Sequence, residues 1–319
     1  MCYNRLMLGK ILKFSPVRAF VIVPFFILAL PFGPFVPSII KVTRAPVPLE
    51  IITNGSIALG EVASFSIKLP PKAYTKTGSF NGTPVFFFKS GSGYSALLPA
   101  TLSSTLGTHL LELKIEAPGK ESKSFFYPLE IKDKKYEVSR ITVPKSMSHF
   151  SKKTLKRMKK ERKSVKKALS KGTGKKLWKD AFIRPVPGKL TSGFGKRRFI
   201  NGESRNPHSG ADFRTPLGEP VLSPSSGVVA LIGNHYLTGY TVIIDHGLEL
   251  FSFYYHLSKL EVKTGEVVEE GTLLGLAGST GRSTGPHLHW GIKIGGIKVN
   301  PLSLITATEE ITFIRESEG

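Results

Sequence analysis

His208, Asp212 and His289, with His287 two positions before the last, are the residues of this chain whose types and spacing could do chemistry. They stand in the strings Asn206-Pro207-His208-Ser209-Gly210-Ala211-Asp212 and Gly285-Pro286-His287-Leu288-His289-Trp290-Gly291. Two imidazoles and one carboxylate complete the protein shell of a catalytic zinc ion, whose fourth position is left to water or substrate. With one zinc ion such a set keeps a net positive charge, which acidifies a water and polarises a carbonyl. The chain holds eight histidines in 319 residues, so three in this arrangement form a concentration. Zinc is therefore assigned to His208, Asp212 and His289.

The elements around these residues must bring them together. His287 and His289 are two apart, so in a strand both imidazoles project from one face while Leu288 turns into the core. His208 and Asp212 lie among Pro207, Ser209 and Gly210, an irregular stretch that can bend both side chains toward one ion. From Pro185 onward short strands alternate with glycine turns at Gly218, Gly227, Gly239, Gly247, Gly265, Gly271 and Gly285, which leaves almost no room for a helix. A zinc site carried on a helical His-Glu-x-x-His string is excluded, because no such string occurs. His256 ends the strand Phe253-Tyr254-Tyr255-His256 and joins His287 as a candidate for moving protons or steadying an oxyanion. His246 precedes Gly247 and reads as a turn or structural histidine.

These strings, taken together over residues 185 to 303, resemble the lysostaphin/LytM-type family of zinc metallopeptidases, which cleave peptidoglycan cross-bridges or stem peptides. The family's His-x-x-x-Asp matches His208 to Asp212, and its His-x-His matches His287 to His289. Its upstream histidine matches His256, and its Asp-His-Gly matches Asp245-His246-Gly247. The resemblance implies zinc ligation by His208, Asp212 and His289, with His256 and His287 as catalytic histidines. It implies an antiparallel-β metallopeptidase domain over 183–306, with peptidoglycan as substrate, followed by a tail at 307–319. The sandwich and basic helix that precede it are similar to the amino-terminal half of some Gram-negative members. Family members that lack a ligand serve instead as non-catalytic activators of another wall hydrolase; all five positions are filled here, and that regulatory role is the alternative reading.

The rest of the chain reads as mostly β. Residues 45–140 form short strands between turns such as Asn81-Gly82 and Pro118-Gly119, at intervals that predict an immunoglobulin-like β-sandwich. Leu111, Leu113 and Ile115 alternate with Leu110, Glu112 and Lys114, and only Leu110 breaks the period of two. A Lys-rich helical linker is expected over 145–180, where Leu155, Met158, Val165 and Leu169 recur at helical spacing. Between 151 and 180 fourteen Lys or Arg stand against Glu161 and Asp180, more than half of the chain's formal charge of +22. Such an excess suits an anionic membrane surface or wall polymer. No zinc finger, RNA-recognition aromatic pair or helix-turn-helix accompanies it, so no specific nucleic-acid partner is expected.

Residues 1–44 read as a signal peptide or membrane anchor: Arg5, Lys10, Lys13 and Arg18 precede an apolar run from Ala19 to Ile40. That order predicts export to the periplasm or cell envelope, and the run is long enough for an anchor in the inner membrane. The single cysteine, Cys2, precludes a disulfide within the chain and a thiol nucleophile in any exported part.

Overall fold

The computed structural model describes residues 38–42, 49–142 and 150–316. The sandwich begins with β1 (Ser38–Val42), β2 (Leu49–Thr53), β3 (Ser56–Ala58), β4 (Val62–Lys68) and β5 (Tyr74–Phe80). It continues with β6 (Thr83–Phe86), β7 (Phe88–Ser90), β8 (Gly93–Pro99), β9 (Gly107–Glu116) and β10 (Lys123–Lys132). One sheet has the order β1-β2-β4-β8-β7 and the other β3-β10-β9-β5-β6. Their inner faces share one core in which Ile51, Phe65, Ile67, Leu98, Leu111 and Leu113 are buried. Leu110, the residue out of phase in β9, points outward and is 48% exposed.

The stretch Pro84 to Phe88 is divided between the two sheets. The chain crosses at Phe87, whose N–H donates to Lys76 O at 2.9 Å and whose ring meets Phe65 edge-on at 6.2 Å. The amino-terminal segment differs from expectation at its end. Residues 38–42, expected within the leader or anchor, pair with β2 as β1; residues 1–37 of that segment lie outside the described residues. Among the described residues no helix is long and apolar enough to cross a membrane.

A short strand β11 (Val138–Ile141) leads to helix α1 (Lys152–Leu169), which Ser151 caps by accepting from Thr154 N at 3.1 Å. Met158 is buried, and Val165 and Leu169 pack against the cluster of Ile243, Phe251 and Phe253. Glu161 accepts from Tyr236 N at 3.1 Å and Arg157 donates to Asn234 O at 3.0 Å, so the helix is fastened to the loop after it in space as well as to the sheet. Leu155, which shares the helical spacing of Met158, Val165 and Leu169, stays 50% exposed.

The carboxy-terminal domain contains β12 (Lys189–Ser192), β13 (Arg197–Ile200), β14 (Glu203–Arg205), β15 (Ala211–Arg214), β16 (Pro220–Leu222) and β17 (Gly227–His235). Then follow β18 (Gly239–Asp245), β19 (Leu250–Leu257), β20 (Lys259–Leu260), β21 (Val267–Val268), β22 (Leu273–Leu276), β23 (His287–Ile294) and β24 (Ile297–Val299). The main sheet runs β12-β15-β23-β19-β18-β17-β21, with β24 also paired to β23. Beside it lie a sheet β16-β22-β20 and a small one, β11-β13-β14, in which β11 from the inter-domain segment pairs parallel with β13.

A final helix α2 (Pro301–Glu316) occupies much of the segment expected as a tail. Its residues Leu304, Ala307, Thr308, Ile311 and Ile314 are buried at three- and four-residue spacing. Ser303 Oγ accepts from Val62 N at 2.9 Å, and Asn300 N donates to Gly60 O at 2.8 Å, which ties the helix start to the sandwich. Val62, Phe88 and Leu97 of the sandwich share one core with Trp178, Leu304 and Ile311, so the two β-units are packed together across α2.

Candidate metal centre

The centre is built on the pairing of β15 with β23. In their antiparallel register Asp212 stands directly opposite His289, which puts both side chains on one face of the sheet. Asp212 Oδ1 lies 2.7 Å from His289 Nδ1. His208, from the loop before β15, closes the group with Nε2 2.9 Å from Asp212 Oδ1 and 3.0 Å from His289 Nδ1. Two ring nitrogens and a carboxylate oxygen thus converge on one point.

The donor set fits a zinc ion. A neutral imidazole with its lone pair turned inward and an ionised carboxylate are both acceptors, and a cation at their centre satisfies all three at once. In a tetrahedral zinc shell such atoms stand about 3.3 Å apart, so a slight opening of the observed triangle accommodates the ion. His208 also has the required tautomer. Its Nδ1–H donates to Gly193 O at 2.9 Å, which leaves Nε2 bare at the centre. The loop that supplies this carbonyl is held against His208 by two main-chain bonds, Gly195 N to His208 O at 2.8 Å and His208 N to Lys196 O at 2.9 Å.

The electrostatics agree with metal ligation. Burial alone would raise the Asp212 carboxyl, but the His208 and His289 imidazoles against it hold it well below the usual carboxylate range. Burial pushes the His289 imidazole down, which favours its neutral, ligating form. Arg198 places Nη2 3.4 Å from the second carboxylate oxygen, Asp212 Oδ2. Tyr255, opposite His289 on β19, stacks on its ring with centroids 5.2 Å apart and planes 2° from parallel.

His287 and His256 stand beside this group. His287 is on the same face of β23 as His289, and its Nδ1–H donates to Gly285 O at 2.9 Å. His256 follows Tyr255 in β19, so regular alternation would send its ring to the opposite face. Its φ of +64° breaks that alternation and turns the ring back toward His287, with centroids 4.7 Å apart. A histidine in left-handed backbone conformation costs free energy that the surrounding hydrogen bonds must overcome. Here His256 N donates to Thr238 O and Nδ1–H to Thr280 O, both at 2.8 Å. Burial pushes this imidazole down to about 4, so it is neutral near pH 7 with Nε2 unblocked.

The structure thus gathers His208, Asp212, His289, His287 and His256 in one place. His246 lies elsewhere, fully buried between Ser226 O at 2.8 Å and Ser252 Oγ at 2.7 Å, with Phe182 edge-on at 4.9 Å. Sequence reasoning missed Arg198 and Tyr255. An aromatic residue directly before a candidate histidine at a strand end was the available signal for Tyr255; Arg198 lies ten positions before His208 with no spacing rule to mark it.

Comparison with known proteins agrees with this geometry. The sequence model of peptidase family M23 matches residues 206–301. The peptidoglycan DD-endopeptidase ShyA of Vibrio cholerae is 44% identical over 126 residues, which are 38% of this chain and 29% of that protein. A crystal structure assigned to peptidase M23 from Pseudomonas aeruginosa covers 78% of this chain and 95% of its own, at 29% identity and a TM-score of 0.62. The catalytic domain of the antimicrobial peptidase lysostaphin from Staphylococcus simulans is 32% identical, covering 37% of this chain and 92% of that domain, with a TM-score of 0.34. The chain spans less than a third of the length of the curated relatives ShyA and ShyB, 29% and 25% respectively.

Proposed function

Because this chain belongs, through its carboxy-terminal domain, to peptidase family M23, we propose that it is a zinc-dependent endopeptidase that hydrolyses amide bonds in peptidoglycan peptides. The observation that carries this reading is the convergence of His208 Nε2, Asp212 Oδ1 and His289 Nδ1 beside two further histidines whose Nε2 atoms are unblocked. When bound, zinc supplies the Lewis acidity that polarises the scissile carbonyl and makes water nucleophilic near neutral pH.

His256 and His287 handle the protons. Each has its Nδ1–H committed to a main-chain carbonyl, so each presents Nε2 as a base. One takes the proton that water loses as it adds to the carbonyl carbon, and the other, having taken a proton from solvent, donates a hydrogen bond to the oxygen that becomes negative. The proton then passes to the departing nitrogen, and the products are a carboxylate and an amine. Tyr255 and Arg198 keep His289 and Asp212 from turning. The chain's own envelope location follows from its substrate, and Arg5, Lys10, Lys13 and Arg18 with the apolar run that begins at Ala19 supply export.

Digestion of purified sacculi with the zinc-loaded protein tests this directly. New amine ends, detected by mass spectrometry and abolished by a chelator, are the expected result. Absence of new ends together with stimulation of an amidase would replace the enzyme with a non-catalytic wall-binding regulator.

The lysines of α1 give a second, separable expectation. Met158, Val165 and Leu169 hold one face of the helix on the catalytic domain, and Lys152, Lys153, Lys156, Lys159, Lys160, Lys163, Lys166 and Lys167 remain exposed. We infer that this face binds anionic wall polymer or lipid, with an attraction that weakens as salt screens it over ~8 Å. Pelleting with sacculi or anionic vesicles should fall when the lysines from Lys152 to Lys167 become Gln. Equal pelleting of the two forms at low salt would leave the helix as a spacer.

A further inference from the structure

The turn that steadies His208 is itself held from outside the catalytic domain. Gly193 O accepts from His208 Nδ1, while Gly195 N and Lys196 O bond the main chain of His208, so the path of residues 193–196 sets where the ligand nitrogen points. Within this turn Phe194 and Gly195 are buried. Tyr136, from the segment between the sandwich and α1, lays its ring on both. Its centroid is 6.4 Å from that of Phe194 with the planes 73° apart, and a Cβ on Gly195 would stand 2.4 Å from Tyr136 Cδ1 and Cε1. Glycine therefore meets two demands at position 195, a φ of +78° and the close approach of an aromatic ring. Beyond Tyr136 the chain follows the same turn outward. Glu137 O accepts from Arg197 N at 2.8 Å, the Glu137 carboxylate pairs with Lys196 Nζ at 2.9 Å, and β11 continues in parallel register with β13.

The far end of the Tyr136 ring is fixed on the sandwich. Its hydroxyl donates to Leu59 O and stands 3.2 Å from Glu61 Oε1. Glu61 in turn accepts from Lys134 Nζ at 2.8 Å and from Asn300 Nδ2 at 3.0 and 3.1 Å. Gly60, between these two acceptors, leaves no space either: a Cβ there would stand 2.7 Å from Phe194 Cε1 and 2.7 Å from the Tyr136 hydroxyl oxygen. The sandwich turn at Leu59-Gly60-Glu61, Tyr136 and Phe194 thus form one packed stack, and the stack acts on His208 through the backbone of residues 193–196.

We propose that Tyr136 is a positioning residue for the metal ligand His208: its ring, anchored on the sandwich by its hydroxyl, holds the 193–196 turn in the path that aims His208 Nε2 at Asp212 and His289. The sandwich is thereby part of what sets metal affinity, because the partner that orients a ligating histidine governs how well it binds. This rests on the zinc reading of the centre and adds to it a residue that neither ligates nor meets substrate.

The test uses the full chain with Tyr136→Ala, Tyr136→Leu and Tyr136→Phe, and with Ser303→Ala as a control that loosens the sandwich at Val62 N, away from the turn. Amide exchange of Gly195 and His208 is followed in the metal-free protein, zinc affinity by competition with a chelator, and ligand geometry by the visible spectrum of the cobalt-loaded form. Tyr136→Ala is expected to speed exchange at both amides about tenfold or more. It should weaken zinc binding by about 10- to 100-fold and alter the cobalt bands. Tyr136→Phe keeps the ring against Gly195 and should restore most of each. Ser303→Ala should lower the melting temperature and move none of the three. Tyr136→Leu, nearer in volume, takes the place of Tyr136→Ala if the latter does not melt cooperatively. Zinc affinity that Tyr136→Ala and Tyr136→Leu leave unmoved would overturn the proposal. An equal loss in Ser303→Ala would overturn it too, by reducing the effect to domain packing in general. A wild type that binds neither zinc nor cobalt would sink the zinc reading, whereas faster exchange in Tyr136→Ala, read without metal, would still show His208 held by Tyr136.

Discussion

Alanine at His208, Asp212 or His289 is expected to strip the protein of zinc and of hydrolysis together, whereas alanine at His256 or His287 keeps the ion and lowers turnover by about 10²-fold or more. The difference follows from where each ring points. The atoms of the first three lie 2.7–3.0 Å from one another, so removal of any one leaves two ligands and an unanswered buried charge or dipole. His287 sits two register positions further along, opposite Arg214, while His289 is the residue opposite Asp212. His256 is fixed by Thr238 and Thr280 and stands with its ring centroid 6.4 Å from that of His289.

Elemental analysis of the five variants beside their rates on sacculi checks the division. Loss of zinc in His287→Ala with retention in His289→Ala would mean that the two histidines of β23 exchange roles. At position 256 glycine is the cleaner replacement, because alanine inherits a φ of +64° that glycine adopts without strain. His256→Gly should then match His256→Ala in lost turnover while folding more stably by about 1 kcal/mol.

The ligand set was legible because short strings carry it: one residue between His287 and His289 fixes a shared face once a strand is assumed, and Gly285-Pro286 before them marks where that strand begins. The inner face of β9 was legible for the same reason, with Leu111, Leu113 and Ile115 buried and Leu110 outside. What the sequence hid depends on partners distant in the chain. Nothing in Tyr255-His256-Leu257 announces a left-handed residue, since the conformation is imposed by Thr238 and Thr280 from two other segments. The burial of Met158 and exposure of Leu155 on one helix depend on where β17 ends. Helix α2 was hidden differently. Asn300 accepts from Leu302 N at 3.2 Å and Pro301 starts the helix, a start signal that is visible in the sequence. The glycine-dense strands before it, and the absence of any charge stripe to mark a face, made the segment read as a tail.

Gly210→Ala is expected to cost the centre its zinc although glycine offers no ligand and the change adds a single methyl group. A Cβ at this position would stand 2.4 Å from Trp290 O, 2.7 Å from His289 Nε2 and 2.8 Å from His289 Cε1. Carbon atoms do not approach that closely, so something must yield. Trp290 O belongs to β23, which is paired with β15 on one side and β19 on the other, and the Trp290 side chain is fully buried. That strand has nowhere to go. Relief must come from the start of β15 or from the His289 ring, and either movement separates the 2.7 Å pair between His289 and Asp212. A misplacement of about 1 Å in such a constellation costs about 10²-fold in rate, and overpacking of the strand adds about 1–3 kcal/mol of instability. Gly210 does not have positive φ, so the penalty is one of space alone. Gly285, in the second string, has open space where its Cβ would be, and Gly285→Ala should keep its zinc. Zinc content and sacculus digestion of the two variants, with melting curves of their chelated forms, separate loss of the site from loss of the fold. Full zinc and full rate in Gly210→Ala would show that β15 can retreat from β23 without parting Asp212 from His289, and the close approach of the two strands would then have no part in setting the metal ligands.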